Sequence, residues 1–80
     1  MLTELKAGPR VVGAKQTRRA LQDGRAVRVY LAEDADPSVT SPIEALCAEN
    51  GVEIVHVPAM RAMGQACGIA VGAAVAAVVR

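Results

Sequence analysis

Val11-Val12-Gly13-Ala14-Lys15-Gln16-Thr17-Arg18-Arg19-Ala20-Leu21-Gln22-Asp23-Gly24 reads as a short strand, a glycine and a helix. Ala26-Val27-Arg28-Val29-Tyr30-Leu31-Ala32, just after it, is rich in β formers and reads as another strand. Within the helix, roughly Lys15 to Asp23, residues Thr17, Ala20 and Leu21 fall at i, i+3 and i+4 and form a core-facing stripe. Lys15, Gln16 and Arg19 share a neighbouring face, and Gly24 supplies a left-handed C-terminal cap. A strand–helix–strand order of this kind indicates an α/β domain.

The start of that helix carries charge of the wrong sign for its own stability. A helix N-terminus exposes four unpaired N–H groups and a partial positive charge, so acids stabilise it and cations destabilise it. Lys15, Arg18 and Arg19 sit there. An anion docked on the free N–H groups would account for them, since N–H groups and flanking cations together make a phosphate site. A solvated basic face accounts for them equally well, and the charge run alone does not choose.

Outward from this unit the chain keeps alternating. Upstream, Leu2 to Ala7 is expected to form a short helix with Thr3 as its cap, ended by Gly8-Pro9. Downstream, Glu33-Asp34-Ala35-Asp36-Pro37 is a turn. Its three carboxylates lack the spacing and glycine of a calcium loop and fit turn and cap chemistry better than a cation site. Ser41-Pro42-Ile43-Glu44 carries a capping box with proline at the first helical position, so a helix is expected to start there. Ile43, Leu46 and Cys47 line its inner face, and Asn50-Gly51 stops it. Val52 to Val57 is the next strand, closed by Pro58, with His56 expected to be packed within it. Met60, Met63 and Cys67 have helical spacing, which places a helix over about Ala59 to Ala66 with both methionines in the core. Gly68 to Gly72 is a loop and Ala73 to Val79 a final apolar strand. The uncharged run Ala66–Val79 is too short to span a membrane. About four short strands with helices on both faces follow.

The chain of 80 residues makes a single domain, 1–80, and a domain of this size buries only roughly 60% of its unfolded surface. Its 52% hydrophobic and 21% charged content marks it as globular and not disordered. One tyrosine and no phenylalanine or tryptophan leave the core to Val, Ala, Leu, Ile and Met, and nearly exclude base stacking on aromatic platforms. Cys47 and Cys67 lack metal spacing and read as small buried hydrophobes, which suits a reducing, cytoplasmic setting. Residues 1–10 contain no apolar h-region of a secretory signal. Net charge is only +1, but residues 1–28 carry seven basic against two acidic side chains (+5), and residues 29–80 carry two against six (−4). Such asymmetry suggests a surface that faces a polyanion.

Three segments resemble one family. Gly13-Ala14-Lys15-Gln16-Thr17-Arg18-Arg19 is similar to a Gly-x-(Asn/Lys)-(Glu/Gln)-x-x-(Lys/Arg) helix start. Ala32-Glu33-Asp34-Ala35-Asp36-Pro37 is similar to an acidic turn after the second strand, and Ala66-Cys67-Gly68-Ile69-Ala70-Val71-Gly72-Ala73-Ala74 to a loop before the last strand. In register, they resemble the ribosomal protein L7Ae family, above all its short bacterial members, over nearly the whole chain. The resemblance implies a three-layer α-β-α sandwich with a central mixed sheet. It also implies binding to kink-turn RNA, a sharp bend flanked by tandem sheared G·A pairs.

Carried over by position, the resemblance gives an RNA-binding set of Gly13, Ala14, Lys15, Gln16, Arg18 and Arg19 with Ile69, Ala70 and Val71. Gly13 would let the RNA backbone approach, Lys15 and Gln16 would reach guanine edges, and Arg19 would hold phosphate. Ile69, Ala70 and Val71 would cap looped-out nucleotides. Lys15 stands where many members have asparagine, Gln16 where archaeal members have glutamate, and Ala70 where glutamate is usual. The residue chemistry agrees with the assignment: lysine donates to guanine O6 and N7, and a glutamine oxygen accepts from an exposed guanine N–H. Reading a bent RNA by shape needs no aromatic platform.

The expected function is that of a monomeric, non-enzymatic, ribosome-associated RNA-binding protein with no cofactor or metal. The alternative is a protein-interaction adaptor on the same fold, which would not need cations at a helix start. No nucleophile–base pair, metal cluster or phosphate loop points to an enzyme.

Overall fold

In a computed structural model the chain is described over residues 9–68 and 72–80. The elements are β1 (Arg10–Val12), α1 (Ala14–Gln22), β2 (Ala26–Ala32), α2 (Pro37–Asn50), β3 (Glu53–Val57), α3 (Met60–Cys67) and β4 (Val75–Val79). The expected helix over Leu2–Ala7 lies outside the described residues.

The strands form a mixed sheet in the order β1-β4-β2-β3. β4 runs antiparallel to both β1 and β2, while β2 and β3 are parallel and joined through α2. The central strands are buried on both faces, and their alternate residues divide the core in two. Val29 and Leu31 of β2 and Val75, Ala77 and Val79 of β4 pack with Ala20 and Leu21 of α1 and Ile43 and Cys47 of α2. Tyr30, Ala32 and Ala76 face the other way, onto Met63, Ala66 and Cys67 of α3. The result is the expected three-layer α-β-α sandwich.

An irregularity in β2 explains an odd exposure. Ala26 pairs with Val79 and Arg28 with Val78, so β2 spends two steps where β4 spends one. The extra residue is Val27, which is 47% exposed although its strand is central. Such a bulge reverses the side-chain alternation, so Ala26 and Val29 share one core despite an odd spacing.

Helix α1 ends as its sequence indicates. Gly24 takes φ +71°, its N–H donates to Leu21 O (3.2 Å), and Arg25 N–H donates to Ala20 O (2.9 Å), the paired bonds of a Schellman motif. Thr17, Ala20 and Leu21 are buried as expected. The Thr17 hydroxyl has no hydrogen-bond partner among the described residues, so its methyl group is what suits the site.

The start of α2 differs from expectation. The helix begins at Pro37, with Asp36 as its cap, and Ser41 and Pro42 lie in its interior. The Asp36 carboxylate accepts the Ser38 N–H (2.9 Å), and Asp36 O accepts from Val39 and Thr40 N–H (2.9 and 3.3 Å). Asp36-Pro37 is thus the effective cap-plus-proline signal. Pro42 removes one i→i−4 bond. Starting at Ser41 would forfeit the Asp36 cap and the packing of Val39 on the core.

Three smaller expectations also shift. Met63 is fully buried, but Met60, the first residue of α3, is 36% exposed. His56 is exposed on β3, which lies at the edge of the sheet. The last strand begins at Val75 and not Ala73. Cys47 and Cys67 are free, buried thiols on opposite faces of the sheet. Burial pushes both thiols above their ordinary range; the Glu44 charge adds to this at Cys47, and Arg10 opposes it at Cys67.

Candidate nucleic-acid interface

The residues of the basic helix start come together at one end of the sheet. Gly13 caps α1 with φ +103° and ψ 152°, a conformation close to glycine-only backbone. No atom lies within 4 Å of where a Cβ would stand, so the space before it is open. Its N–H donates to Val75 O (2.8 Å), which fixes the helix start against the first residue of β4.

No side chain caps α1, and its first turn holds no acidic residue. The first bond of the helix is Thr17 N–H to Gly13 O (3.0 Å). The N–H groups of Ala14, Lys15 and Gln16 precede it and point out of the helix end. Lys15, Gln16, Arg18 and Arg19 are all exposed. With Gln22 they line a furrow of about 230 Å³ along the helix. Gln22 is an addition to the expected set; it stands four and three residues beyond Arg18 and Arg19, on the same side of the helix.

Two of the other basic residues in 1–28, Arg10 and Arg28, have structural duties. Arg10 donates to Cys67 O (2.8 Å). Arg28 pairs with Glu53 across β2 and β3 (3.1 Å). The free cationic surface is therefore narrower than the sequence count, and α1 holds its densest part.

The acidic turn serves as cap chemistry. Asp36 caps α2, and Asp34 Oδ1 accepts the Met60 N–H at the start of α3 (2.7 Å). The latter contact spans 26 positions and has no local sequence signal. Hydrogen bonds from the Ser38 N–H, and then from its hydroxyl, hold the Asp36 carboxyl below its ordinary range.

Ile69, Ala70 and Val71 lie outside the described residues. Their flanks are described: Gly68 is a left-handed cap with φ +76°, and Ala73 N–H donates to Met60 O (3.0 Å). Val75 O accepts the Gly13 N–H, which sets the first residue of β4 beside the start of α1.

A larger concavity of about 480 Å³ lies at the opposite end of the sheet, beside Gly24, Gly51 and Arg80. Its lining holds one cation, Arg80, where the furrow on α1 has Lys15, Arg18 and Arg19. No group of three or more potential metal ligands occurs among the described residues. No described helix is long and apolar enough to cross a membrane.

The sequence model of the ribosomal protein L7Ae/L30e/S12e/Gadd45 family matches residues 2–80. The chain belongs to this family. It is 47% identical to an RNA-binding protein of Geobacillus sp. (strain WCH70) over 95% of this chain and 93% of that one. A large ribosomal subunit protein eL8 of Halobacterium salinarum is 40% identical over 84% of this chain and 57% of that one. Among solved structures, a Giardia lamblia 15.5kD RNA binding protein superposes with a TM-score of 0.92 at 28% identity, covering 99% of this chain and 70% of that one. The L7Ae-type fold is thus established from sequence and from structure.

Proposed function

We propose that this chain is a non-enzymatic RNA-binding protein that recognises kink-turn RNA. It works as a monomer, with residues 1–80 as a single RNA-binding domain, in the cytoplasm and in association with the ribosome. The observation that carries this reading is the start of α1, an uncapped helix N-terminus with Lys15 in its first turn and open space before Gly13, continued along the helix by a furrow that Arg18 and Arg19 line. Its exposed N–H groups and cations together favour an anion of the phosphate kind. The names of the Geobacillus and Halobacterium relatives support an RNA partner and a ribosomal setting.

In this reading Gly13 admits the RNA backbone, and the N–H groups of the first turn, Ala14 included, face it. Lys15 and Gln16 read the guanine edges of sheared G·A pairs, where lysine donates and the glutamine oxygen accepts. Arg19 and Arg18 hold phosphates and set the salt dependence. Ile69, Ala70 and Val71 support the nucleotides displaced from the stack. An adaptor role on the same fold gives no reason for cations at an uncapped helix start.

A gel shift tests this directly. The protein is expected to bind a kink-turn duplex and to lose most of that affinity when the tandem G·A pairs are replaced by Watson–Crick pairs. Equal binding to both duplexes would reduce the surface to a general polyanion patch.

A further inference from the structure

Helix α3 begins at Met60, after Ala59, a residue with no capping side chain. The cap comes from elsewhere: the Asp34 carboxylate, in the turn between β2 and α2, accepts the Met60 N–H at 2.7 Å. The same methionine holds the segment that leads into β4. Met60 O accepts the Ala73 N–H (3.0 Å). A Cβ on Gly72 would lie 3.1 Å from Met60 Cβ and 3.2 Å from its carbonyl carbon and oxygen, so Gly72 is pressed onto the Met60 backbone.

The turn that supplies Asp34 is itself tied to the sheet. Glu33 N–H donates to Val57 O (2.7 Å), and Ala32 N–H donates to Ala74 O (2.9 Å). A closed circuit results, from Ala74 through Ala32 to Asp34, from Asp34 to Met60, and from Met60 back to Ala73. One residue beyond Ala74, Val75 accepts the Gly13 N–H. The circuit therefore sets where Gly72–Ala74 stands relative to the start of α1.

We infer that Asp34 is a positioning residue for RNA binding: through Met60 it fixes the Gly72–Ala74 segment against the start of α1, without touching RNA itself. The inference rests on the RNA-binding reading above. Charge alone would act in the opposite direction, because a carboxylate near the interface repels phosphate and its removal tightens binding to any RNA. The geometric and electrostatic roles therefore differ in sign. Without Asp34 the Met60 N–H loses its partner, the first turn of α3 loosens, and the Ala73 bond loosens with it.

The test compares Asp34→Ala with Asp34→Asn, which keeps an oxygen acceptor of the same reach. Binding is measured to a kink-turn duplex and to a plain duplex, well below the melting temperature of each variant. Asp34→Ala is expected to weaken kink-turn binding roughly ten- to a hundredfold, as when one or two well-placed contacts are lost, with an unchanged salt slope. Asp34→Asn is expected to bind at least as tightly as the unmodified protein. Amide exchange adds a readout without RNA. Ala73 N–H loses protection in Asp34→Ala and keeps it in Asp34→Asn, while Gly13 keeps its protection in both. Two variants that both bind kink-turn RNA more tightly would overturn the inference, as would undiminished protection of Ala73 in Asp34→Ala. Failure of the unmodified protein to bind the kink-turn would overturn the RNA reading itself and this inference with it.

Discussion

Helices α1 and α2 cover the same face of the sheet, yet they begin in opposite ways. α2 starts with a full set of stabilising devices: Asp36 as cap, Pro37 at the first position and a carboxylate bonded to the Ser38 N–H. α1 starts with none of them, and Lys15 puts a cation in its first turn, where it costs a few tenths of a kcal/mol. The chain makes good caps elsewhere, for it even sends Asp34 across 26 positions to cap α3. On the proposed reading, the bare start of α1 is what an RNA phosphate completes. A completed cap leaves nothing to bind, whereas an open one backed by lysine and arginine is half of a phosphate site.

Substitutions at the two helix starts should separate in kind. Gly13→Ala has the largest expected effect. Its φ of +103° is nearly closed to alanine, so stability should fall by about 1–3 kcal/mol although no atom crowds the new Cβ. Kink-turn affinity should fall as well, since the helix start must shift. Denaturation and binding curves on one preparation would measure both. Gln16→Ala should then cost roughly 1–3 kcal/mol of kink-turn affinity with stability intact. Arg19→Ala should weaken binding to all RNAs alike and lower the salt slope by about 1. Equal losses for these two variants on kink-turn and plain duplex would erase the division between base and phosphate contacts.

At the other helix start the signs reverse. Asp36→Ala should lower the melting temperature by roughly 4–8 °C, as a lost cap does in a domain of this size, while leaving the RNA affinity of the folded protein unchanged. Its carboxyl is held below the ordinary range in the folded chain. Its contribution is therefore present above the usual carboxylate pKa and lost as pH falls through the depressed folded value. Acid melts of the variant should show a weaker pH dependence than those of the parent in that window. Ser41→Ala should change stability by no more than about 0.5 kcal/mol, because Ser41 is exposed in the helix interior and caps nothing. A large loss there would restore Ser41 as the start of the helix.

The Ser41 case shows where the sequence is ambiguous. The run from Asp36 to Glu44 contains two cap-plus-proline signals, Asp36-Pro37 and Ser41-Pro42. By local rules Ser41-Pro42 is the stronger of the two, because Glu44 completes a capping box. The choice is made by tertiary contact, since starting early lets Val39 reach the core and Asp36 meet Ser38. β2 is legible to the residue at both ends, because its β formers are bounded by Gly24 and by an acidic turn. The bulge that pushes Val27 outward is not legible, for it arises from the register with β4. At the interface, Lys15, Gln16, Arg18 and Arg19 can be read from their local run. Asp34 cannot, because its partner Met60 lies 26 positions away at the start of α3 and offers only a backbone N–H.

Backbone amide shifts during titration with kink-turn RNA test the contrast between the two helix starts most directly. The account predicts that Gly13, Ala14, Lys15 and Gln16 move strongly and saturate together, while Ser38, Val39 and Thr40 at the capped start of α2 stay in place. Large shifts at Ser38–Thr40 with an unmoved first turn of α1 would contradict it.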